Sequence, residues 1–323
     1  MFENVSVVGG AGFIGSHIVD ELLASKETKR LIVFDNFSSG REWHFEHHYA
    51  DKRLEIVRGE ISDRQHLTEA INGTETVIHL ASNPDIALAV NDPEIDFRQG
   101  TLLTNHVLEA TRVAGAKIFL YASGSGVYGD RGWQTCVEDQ TPLEPNSTYG
   151  ASKMAGEALL SAYCRLFNIR GYAFRFANVV GARQTHGVGY DFIKKLIRDK
   201  TTLSILGDGT QSKSYIHVTD VVRALVHVAK NETSAFRVFN VSTNDHMTVS
   251  EIARAAIDVM SLDPESVKLE YAGGSKGWQG DVPVVRLDTS RLRSMGWINQ
   301  RDTKEALCAS LVELLPDALS EKI

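Results

Sequence analysis

The stretch that decides the fold is Val5-Ser6-Val7-Val8-Gly9-Gly10-Ala11-Gly12-Phe13-Ile14-Gly15. A short run of strand type leads directly into a glycine turn, and the following residues 16–23 are apolar at helical spacing. Such a turn lets the backbone touch a pyrophosphate while the amides at the start of the helix face the anion. The stretch therefore predicts a dinucleotide site that includes Gly9, Gly12, Phe13, Ile14 and Gly15.

Glycine spacing alone is weak support, because Gly126, Gly129 and Gly132 repeat it in a stretch that opens no amphipathic helix and is predicted to be a loop. The position of Asp35 strengthens the first pattern, because it closes the second predicted strand 20 residues after Gly15 (35 − 15). An acid there accepts hydrogen bonds from the ribose hydroxyls of NAD and repels the 2′-phosphate of NADP. Together, the glycine turn and Asp35 favour an NAD site. The simpler interpretation is a tight turn followed by an unrelated surface aspartate.

The same alternation of strand and helix continues beyond this first unit. Short apolar, β-branched runs predict strands at residues 5–8, 31–34, 54–57, 76–80, 118–122 and 171–176, with helical stretches between most of them. Strands that are apolar at consecutive positions suit a parallel sheet covered on both faces. We expect an α/β fold with a doubly wound parallel (Rossmann) sheet over residues 1–177. Residues 178–323 are expected to form a smaller substrate lobe, with the chain returning to the sheet around residues 208–242.

Composition narrows the class of protein. The chain has 323 residues, 43% of them hydrophobic, a net charge of −7 and 3 widely spaced cysteines. These values favour a folded protein of a reducing cytoplasm and disfavour a general nucleic-acid binder. The first residues lack the order of a signal peptide, and no apolar run is long enough to predict a membrane span.

Tyr149 and Lys153 are a candidate catalytic pair, because a helix predicted over this region places both on one face. A phenol titrates near 10, and a nearby ammonium and a cationic nicotinamide ring would favour the phenolate. Tyr190 and Lys194 repeat the spacing after a glycine-rich loop, where an ordinary surface or core role is the simpler interpretation. The first pair is favoured because it follows a strand that ends in Ser123-Gly124-Ser125-Gly126-Val127-Tyr128-Gly129. Ligands of parallel sheets lie at such strand ends, where a hydroxyl could bind a substrate hydroxyl or simply belong to a turn.

Taken in this order, the glycine turn, Asp35, His79-Leu80-Ala81, the strand end and the Tyr149/Lys153 pair resemble the extended short-chain dehydrogenase/reductase family. Within it the likeness is to nucleotide-sugar epimerases of the UDP-glucose 4-epimerase type. It extends over most of the chain, through residues 175–181 and 207–220. The resemblance implies a tightly held NAD, Tyr149 as acid and base, Lys153 on the nicotinamide ribose, and a nucleoside-diphosphate sugar as substrate.

The resemblance also implies further site residues. The cofactor would be contacted by Asn36, Ser38, Gly40, Glu60, Ile61, Leu80, Ala81 and Ala122. The substrate diphosphate would be contacted by Asn178, Arg183, Lys213 and Lys276.

Several positions depart from the family pattern. Gly124 stands where relatives carry the Ser or Thr that binds the reacting hydroxyl, so we expect Ser123, Ser125 or a water to replace it. Gly100 stands where an asparagine is expected, and Glu60 where an aspartate is common. Lys213-Ser214 replaces an Arg-Asp pair, and Lys276 with Trp278 lies where an arginine meets the diphosphate. Lysine offers a point charge instead of a bidentate fork, so the geometry of phosphate binding is expected to differ.

Two weaker features complete the prediction. His44, Glu46, His47 and His48 could suggest a metal, but hydride chemistry needs none and a polar loop is the simpler interpretation, so no metal is predicted. The apolar faces of residues 102–114 and 155–167 suggest a homodimer, although a monomer's core would look alike. The predicted function is NAD-dependent epimerisation of a nucleotide sugar in the cytoplasm. A 4,6-dehydratase and a non-catalytic NAD-binding sensor are the alternatives.

Overall fold

The computed structural model describes residues 1–83, 85–277 and 281–320. In chain order its strands are β1 (Asn4–Val8), β2 (Arg30–Asp35), β3 (Leu54–Arg58), β4 (Thr76–His79), β5 (Ile118–Gly124), β6 (Arg170–Phe176), β7 (Asn178–Val180), β8 (Thr202–Ile205), β9 (Ser212–Lys213), β10 (Tyr215–His217), β11 (Phe236–Val241), β12 (Met247–Thr248) and β13 (Lys268–Tyr271). Its α-helices are α1 (Phe13–Ala24), α2 (Arg64–Ala70), α3 (Leu103–Val113), α4 (Thr148–Phe167), α5 (Val188–Arg198), α6 (Val218–Asn231), α7 (Val249–Val259), α8 (Ser290–Ser294) and α9 (Thr303–Leu319). A π-helical turn, Phe97–Leu102, leads into α3.

A 7-stranded sheet in the order β11-β6-β5-β4-β1-β2-β3 organises the fold. β1 pairs in parallel with β2 and β4, and β2 with β3 and β4 with β5 pair in the same sense. The predicted doubly wound parallel sheet is confirmed, and β11, late in the chain, lies at its edge beside β6. The strand order reverses beside β1, and ligands of open α/β sheets bind at such a reversal.

The central strands form where the sequence is apolar at consecutive positions. Val5, Val7 and Val8 of β1 are fully buried, and β2 is buried from Leu31 to Asp35. Helices α1, α2, α3 and α4 all pack against strands of this sheet. Burial of both alternating sets of side chains is what a sheet between helical layers requires.

The glycine turn between β1 and α1 is too tight for side chains. Gly9 has a φ of +81°, and a Cβ there would lie 2.5 Å from the backbone nitrogen of Ala81. A Cβ on Gly15 would lie 2.6 Å from Cα of Gly10. Both glycines therefore hold α1 close to the strands, as the sequence predicted.

The chain divides into two compact units. Unit 1 comprises Met1–Val127, Pro145–Arg175 and Val222–Phe239, and unit 2 comprises Tyr128–Glu144, Phe176–Val221 and Asn240–Ile323. Unit 2 carries the short pairs β7–β10, β9–β12 and β8–β13, and its core includes buried side chains of α5, α7 and α9. Two segments differ from the expected division: residues 128–144 belong to unit 2, and the chain returns to unit 1 only over Val222–Phe239, not from around residue 208. Along the described part of the chain, no helix is both long and apolar enough to cross a membrane.

Candidate active site

The start of α1 offers a cradle built from backbone. Gly12 immediately precedes the helix and, having no side chain, makes no side-chain cap to the amides of the first turn. A Cβ on Gly12 would meet only the carbonyl oxygen of Gly9, at 3.5 Å, so the space beside it is open. Open space next to uncapped helix amides fits the pyrophosphate of a dinucleotide.

Asp35, at the end of β2, is held in a fixed position beside this turn. Its carboxylate accepts hydrogen bonds from the backbone N–H of Ala11 at 2.9 Å and of Phe37 at 2.8 Å. Burial raises the pKa of Asp35, and the two amide donors oppose that change. The fixed carboxylate at this strand end fits the ribose of NAD, and its charge opposes a 2′-phosphate.

The other predicted cofactor residues lie on loops of the same unit. Asn36 donates to Glu60 at 3.2 Å, which joins the loop after β2 to the loop after β3, and the backbone N–H of Ser38 donates to Asn36. A Cβ on Gly40 would lie 2.6 Å from Cβ of Ala11, so that loop packs directly on the glycine turn.

Two further groups complete the cofactor set. Ile61 is buried just beyond Glu60. The backbone N–H groups of Leu80 and Ala81 both donate to the carbonyl of Val8, which fixes the loop after β4 beside β1. In unit 1 the predicted cofactor residues therefore lie at or just beyond the carboxyl ends of the parallel strands.

Tyr149 and Lys153 lie in the first turns of α4, whose N-terminus is capped by the side chain of Ser147. Nζ of Lys153 is 5.4 Å from the centroid of the Tyr149 ring and donates a 2.8 Å hydrogen bond to the carbonyl of Ala122 in β5. The lysine is buried, with 3% of its surface exposed. The predicted pair therefore meets at the carboxyl end of β5.

The pKa values of the pair are shifted by burial in the protein without a cofactor. Surrounding protein atoms raise the pKa of Tyr149 to about 12, and a hydrogen bond from Ser82 opposes this. Burial lowers the pKa of Lys153 to about 8. Without a cofactor the phenol is therefore protonated near pH 7, and a positive charge placed beside it would favour the phenolate.

Ser123 has a different neighbour from the one expected of a substrate-binding hydroxyl. Its Oγ donates to Oε1 of Glu157 at 2.6 Å, and Glu157 accepts two hydrogen bonds from Arg175, at 2.9 and 2.7 Å. The only hydroxyl proton of Ser123 is thus directed to a buried ion pair. Ser125 is partly exposed at the start of a 3-10 helix, which leaves its hydroxyl the more accessible of the two.

The predicted substrate residues lie in unit 2. Asn178 is exposed at the start of β7 and donates to the carbonyl of Ser214 at 3.2 Å, next to Lys213 in β9. Nζ of Lys213 is 2.6 Å from Oδ1 of the buried Asp281. The charge of Lys213 is therefore paired within the protein, which the sequence did not indicate.

The remaining predicted substrate cations lie on loops of the same unit. Arg183, in the loop after β7, has a φ of +65°. Lys276 is exposed, and the N–H of the next residue, Gly277, donates to Asp281 at 3.0 Å. Asp281 thus joins the loop of Lys276 to Lys213. Trp278 lies outside the described residues.

The competing patterns have ordinary structural roles. Lys194 donates directly to the hydroxyl of Tyr190 at 2.9 Å within α5. His44 is buried against the carbonyl of Ala11 at 2.8 Å, whereas His47 and His48 both hydrogen-bond Asp20. These bonds account for the positions of the rings, and the absence of a metal stays a prediction.

Three site residues were missed by the sequence interpretation. Ser82 hydrogen-bonds Tyr149, Asp96 acts electrostatically on Tyr149 and Lys153, and Glu157 orients Ser123. Only Glu157 had a local signal, because it lies four residues after Lys153 and so shares its helix face.

Comparison with known proteins agrees with this geometry. Residues 5–242 match the model of the NAD dependent epimerase/dehydratase family. The chain is 32% identical to UDP-glucose 4-epimerase of Mycolicibacterium smegmatis over 313 residues, which cover 94% of this chain and 96% of that protein.

Solved structures agree as well. A crystal structure of UDP-galactose 4-epimerase superposes with a TM-score of 0.85 at 34% identity, covering 97% of this chain and 99% of that one. The dTDP-glucose 4,6-dehydratase of Streptomyces venezuelae with NAD bound gives 0.88 at 25% identity, covering 97% of each chain. The cradle at Gly12, the fixed Asp35 and the Tyr149/Lys153 pair thus occur in a chain that belongs to the NAD dependent epimerase/dehydratase family, and its cofactor is NAD.

Proposed function

We propose that the protein is a nucleotide-sugar epimerase similar to UDP-glucose 4-epimerase, acting by transient oxidation of a sugar hydroxyl. The observation that carries the proposal is the position of buried Lys153, fixed by Ala122 and 5.4 Å from the Tyr149 ring, at the carboxyl end of β5. A phenol held next to an ammonium is suited to take up and return a proton. Relatives named as 4-epimerases support the same assignment.

In the proposed reaction Tyr149 takes the proton of the sugar hydroxyl and later returns it. Lys153, held by its hydrogen bond to Ala122, keeps its ammonium near the phenolate. Bound NAD would supply reversible hydride transfer with the sugar carbon, and its positively charged ring would favour the phenolate. The keto sugar rotates in the site between the two hydride transfers. The hydride therefore returns to the opposite face of the sugar carbon.

The reacting hydroxyl needs a partner in place of the side chain that Gly124 lacks. Ser125 is the better candidate, because Ser123 already donates to Glu157. A Cβ on Gly124 would meet nothing within 4 Å, so Gly124→Ser fits without displacing a neighbour. We propose that Ser125 or a water fills this role, and that Gly124→Ser increases turnover.

The substrate is proposed to be a nucleoside-diphosphate sugar held through its diphosphate. Asn178, Lys213, Lys276 and Arg183 would provide the polar contacts in unit 2. Because Lys213 is paired with Asp281, its contribution to an anion is expected to be smaller than that of a cation without a carboxylate partner.

A 4,6-dehydratase is the main alternative, favoured by the likeness to the dehydratase of Streptomyces venezuelae. Elimination needs an acid and a base beside the sugar, which we expect directly after the strand-end residue. The chain has Gly124-Ser125-Gly126 there, without a carboxylate. A non-catalytic NAD-binding sensor is the third possibility, which the presence of both Tyr149 and Lys153 disfavours.

We also propose a homodimer formed through α3 and α4, in the cytoplasm, without nucleic-acid or membrane partners. Large apolar side chains are exposed on and beside these helices, including Leu102, Val113 and Leu166. Exposed apolar surface of this kind is typical of an interface. Sedimentation equilibrium measures the mass directly, and Leu166→Glu is expected to convert a dimer to a monomer.

The proposed function is tested by incubating the purified protein with UDP-sugars and dTDP-sugars and analysing the products by proton NMR. Interconversion of two epimers supports it. A methyl signal of a 4-keto-6-deoxy sugar would show a dehydratase instead, and unchanged substrates throughout would favour the sensor.

A further inference from the structure

A buried carboxylate outside the predicted site, Asp96, lies at the junction of the two segments that carry Ser82 and Tyr149. Asp96 is 1% exposed and sits just before the π-helical turn Phe97–Leu102. Its Oδ1 accepts from the side-chain amide of Asn83 at 3.0 Å, and its Oδ2 accepts from the hydroxyl of Thr148 at 2.7 Å. Each carboxylate oxygen of Asp96 thus accepts one hydrogen bond from a different segment of the chain.

The two donors are adjacent in sequence to the residues that touch each other at the reactive phenol. Asn83 follows Ser82, and Thr148 precedes Tyr149. Ser82 in turn hydrogen-bonds the Tyr149 side chain. One carboxylate therefore holds both sides of that hydrogen bond in place. Asn83 is further fixed by the backbone of Asp85, to which it donates at 2.8 Å and from which it accepts at 3.0 Å.

We propose that Asp96 is a positioning residue that holds Ser82 against Tyr149 and directs a negative charge toward the Tyr149–Lys153 pair. The proposal rests on the proposed function for its effect on turnover. The hydrogen bonds and the charge effect involve only residues of unit 1, so they can be tested without turnover.

The other ionisable groups around the Tyr149–Lys153 pair are neutral or paired with an opposite charge, which distinguishes them from Asp96. On β4, burial lowers the pKa of His79 to about 3, so this imidazole is neutral near pH 7. On β5, burial raises the pKa of Tyr121, which keeps that phenol neutral. Glu157 on α4 is paired with Arg175 on β6. Both hydrogen bonds to Asp96, in contrast, come from neutral groups.

The remaining charged groups near Asp96 in sequence are exposed. Asp85 is exposed, and Arg98 pairs with Asp92 and Glu94 at the surface. Solvent screens such groups much more than a buried carboxylate. The charge of Asp96 is therefore the one expected to act on Lys153 and Tyr149.

The sign of the effect follows from the charge. A nearby carboxylate favours protonated lysine and disfavours phenolate, so Asp96 raises the pKa of both Lys153 and Tyr149. Asp96→Asn removes the charge, and Thr148 can rotate its hydroxyl to accept from the new amide. We therefore expect the titration midpoint of Lys153 to be lower in Asp96→Asn than in the unaltered protein.

The midpoint is measured on the NAD-loaded protein by NMR of 13Cε-labelled lysine between pH 6 and pH 10, with Lys153→Arg to assign the signal. Glu94→Gln is the matched control, since it makes the same change two residues away on an exposed group, and it should leave the midpoint unchanged. A lower midpoint in Asp96→Asn supports the proposal. An equal or higher one overturns its electrostatic part.

The positioning part is tested with variants that keep the charge. Thr148→Val removes one of the two hydrogen bonds and is expected to lower kcat by about 10-fold to 100-fold with little change in KM, because the phenol is misplaced. Thr148→Ser keeps the hydroxyl and should retain the rate. Equal rates in the two variants would refute the positioning role, even if Asp96→Asn fails to fold.

The two hypotheses fail separately. The lysine titration needs no turnover, so an unaltered protein that converts no nucleotide sugar would refute the proposed function while the Asp96 shift could still be observed. If the enzyme is active but Asp96→Asn leaves the titration midpoint of Lys153 unchanged, the electrostatic role of Asp96 is refuted and the proposed function is not.

Discussion

Replacing Glu157 tests how strongly the buried ion pair beneath the site supports unit 1. Glu157 and Arg175 are 6% and 3% exposed, and Glu157 accepts at 2.6 Å from Ser123 and at 2.9 and 2.7 Å from Arg175. Removing one partner of a buried pair typically costs about 3 to 5 kcal/mol. Glutamine keeps one accepting oxygen, so we expect Glu157→Gln to lower the free energy of unfolding by about 3 kcal/mol.

The assay is urea unfolding followed by circular dichroism, with two comparison variants. Glu94→Gln breaks an exposed ion pair with Arg98 and should cost about 0.5 kcal/mol or less. Glu157→Leu combined with Arg175→Met removes both charges, and the combination should be more stable than Glu157→Gln because no buried charge loses its partner. A loss below about 1 kcal/mol in Glu157→Gln, or a double variant that is less stable than the single one, would refute the reasoning.

Three further predictions concern binding. Asp35→Ala should narrow the preference for NAD over NADP, measured by calorimetry after cofactor removal; an unaltered protein that binds NADP equally well would contradict the role of Asp35. Gly12→Val places a branched side chain in the open space beside α1, and a folded variant that still holds NAD normally would refute the cradle. Lys213→Ala should weaken binding of nucleotide sugars more than binding of NAD. If neither affinity changes, Lys213 serves only its pairing with Asp281.

The fold could be predicted because its decisive signals are local. The glycine turn, the consecutive buried residues of β1 and β2 and the position of Asp35 each follow from neighbouring residues in the chain. The Tyr149/Lys153 pair could be predicted for the same reason, since one helix presents both side chains. Local spacing did not distinguish it from Tyr190/Lys194, whose structure is a direct hydrogen bond within α5.

What could not be predicted depends on segments distant in sequence. Asp96 reaches Thr148 across 52 residues, Ser123 reaches Glu157 across 34, and Lys213 reaches Asp281 across 68. The polarity of each of these residues indicates only that, when buried, it needs a hydrogen-bond or ion-pair partner. Which partner it meets is set by the packing of the whole unit, and this is why the donor role expected of Ser123 was directed to Glu157 instead.

The most direct test of the central claim is epimerisation in D2O, followed by proton NMR, with the nucleotide sugar that the product screen identifies. Transient oxidation returns the original hydrogen to the sugar, so we expect an epimerised product that carries protium at the inverted carbon. Tyr149→Phe should lower that rate by at least about 10²-fold to 10⁴-fold while leaving NAD bound. Deuterium at the inverted carbon, or a Tyr149→Phe variant that turns over normally, would contradict the claim.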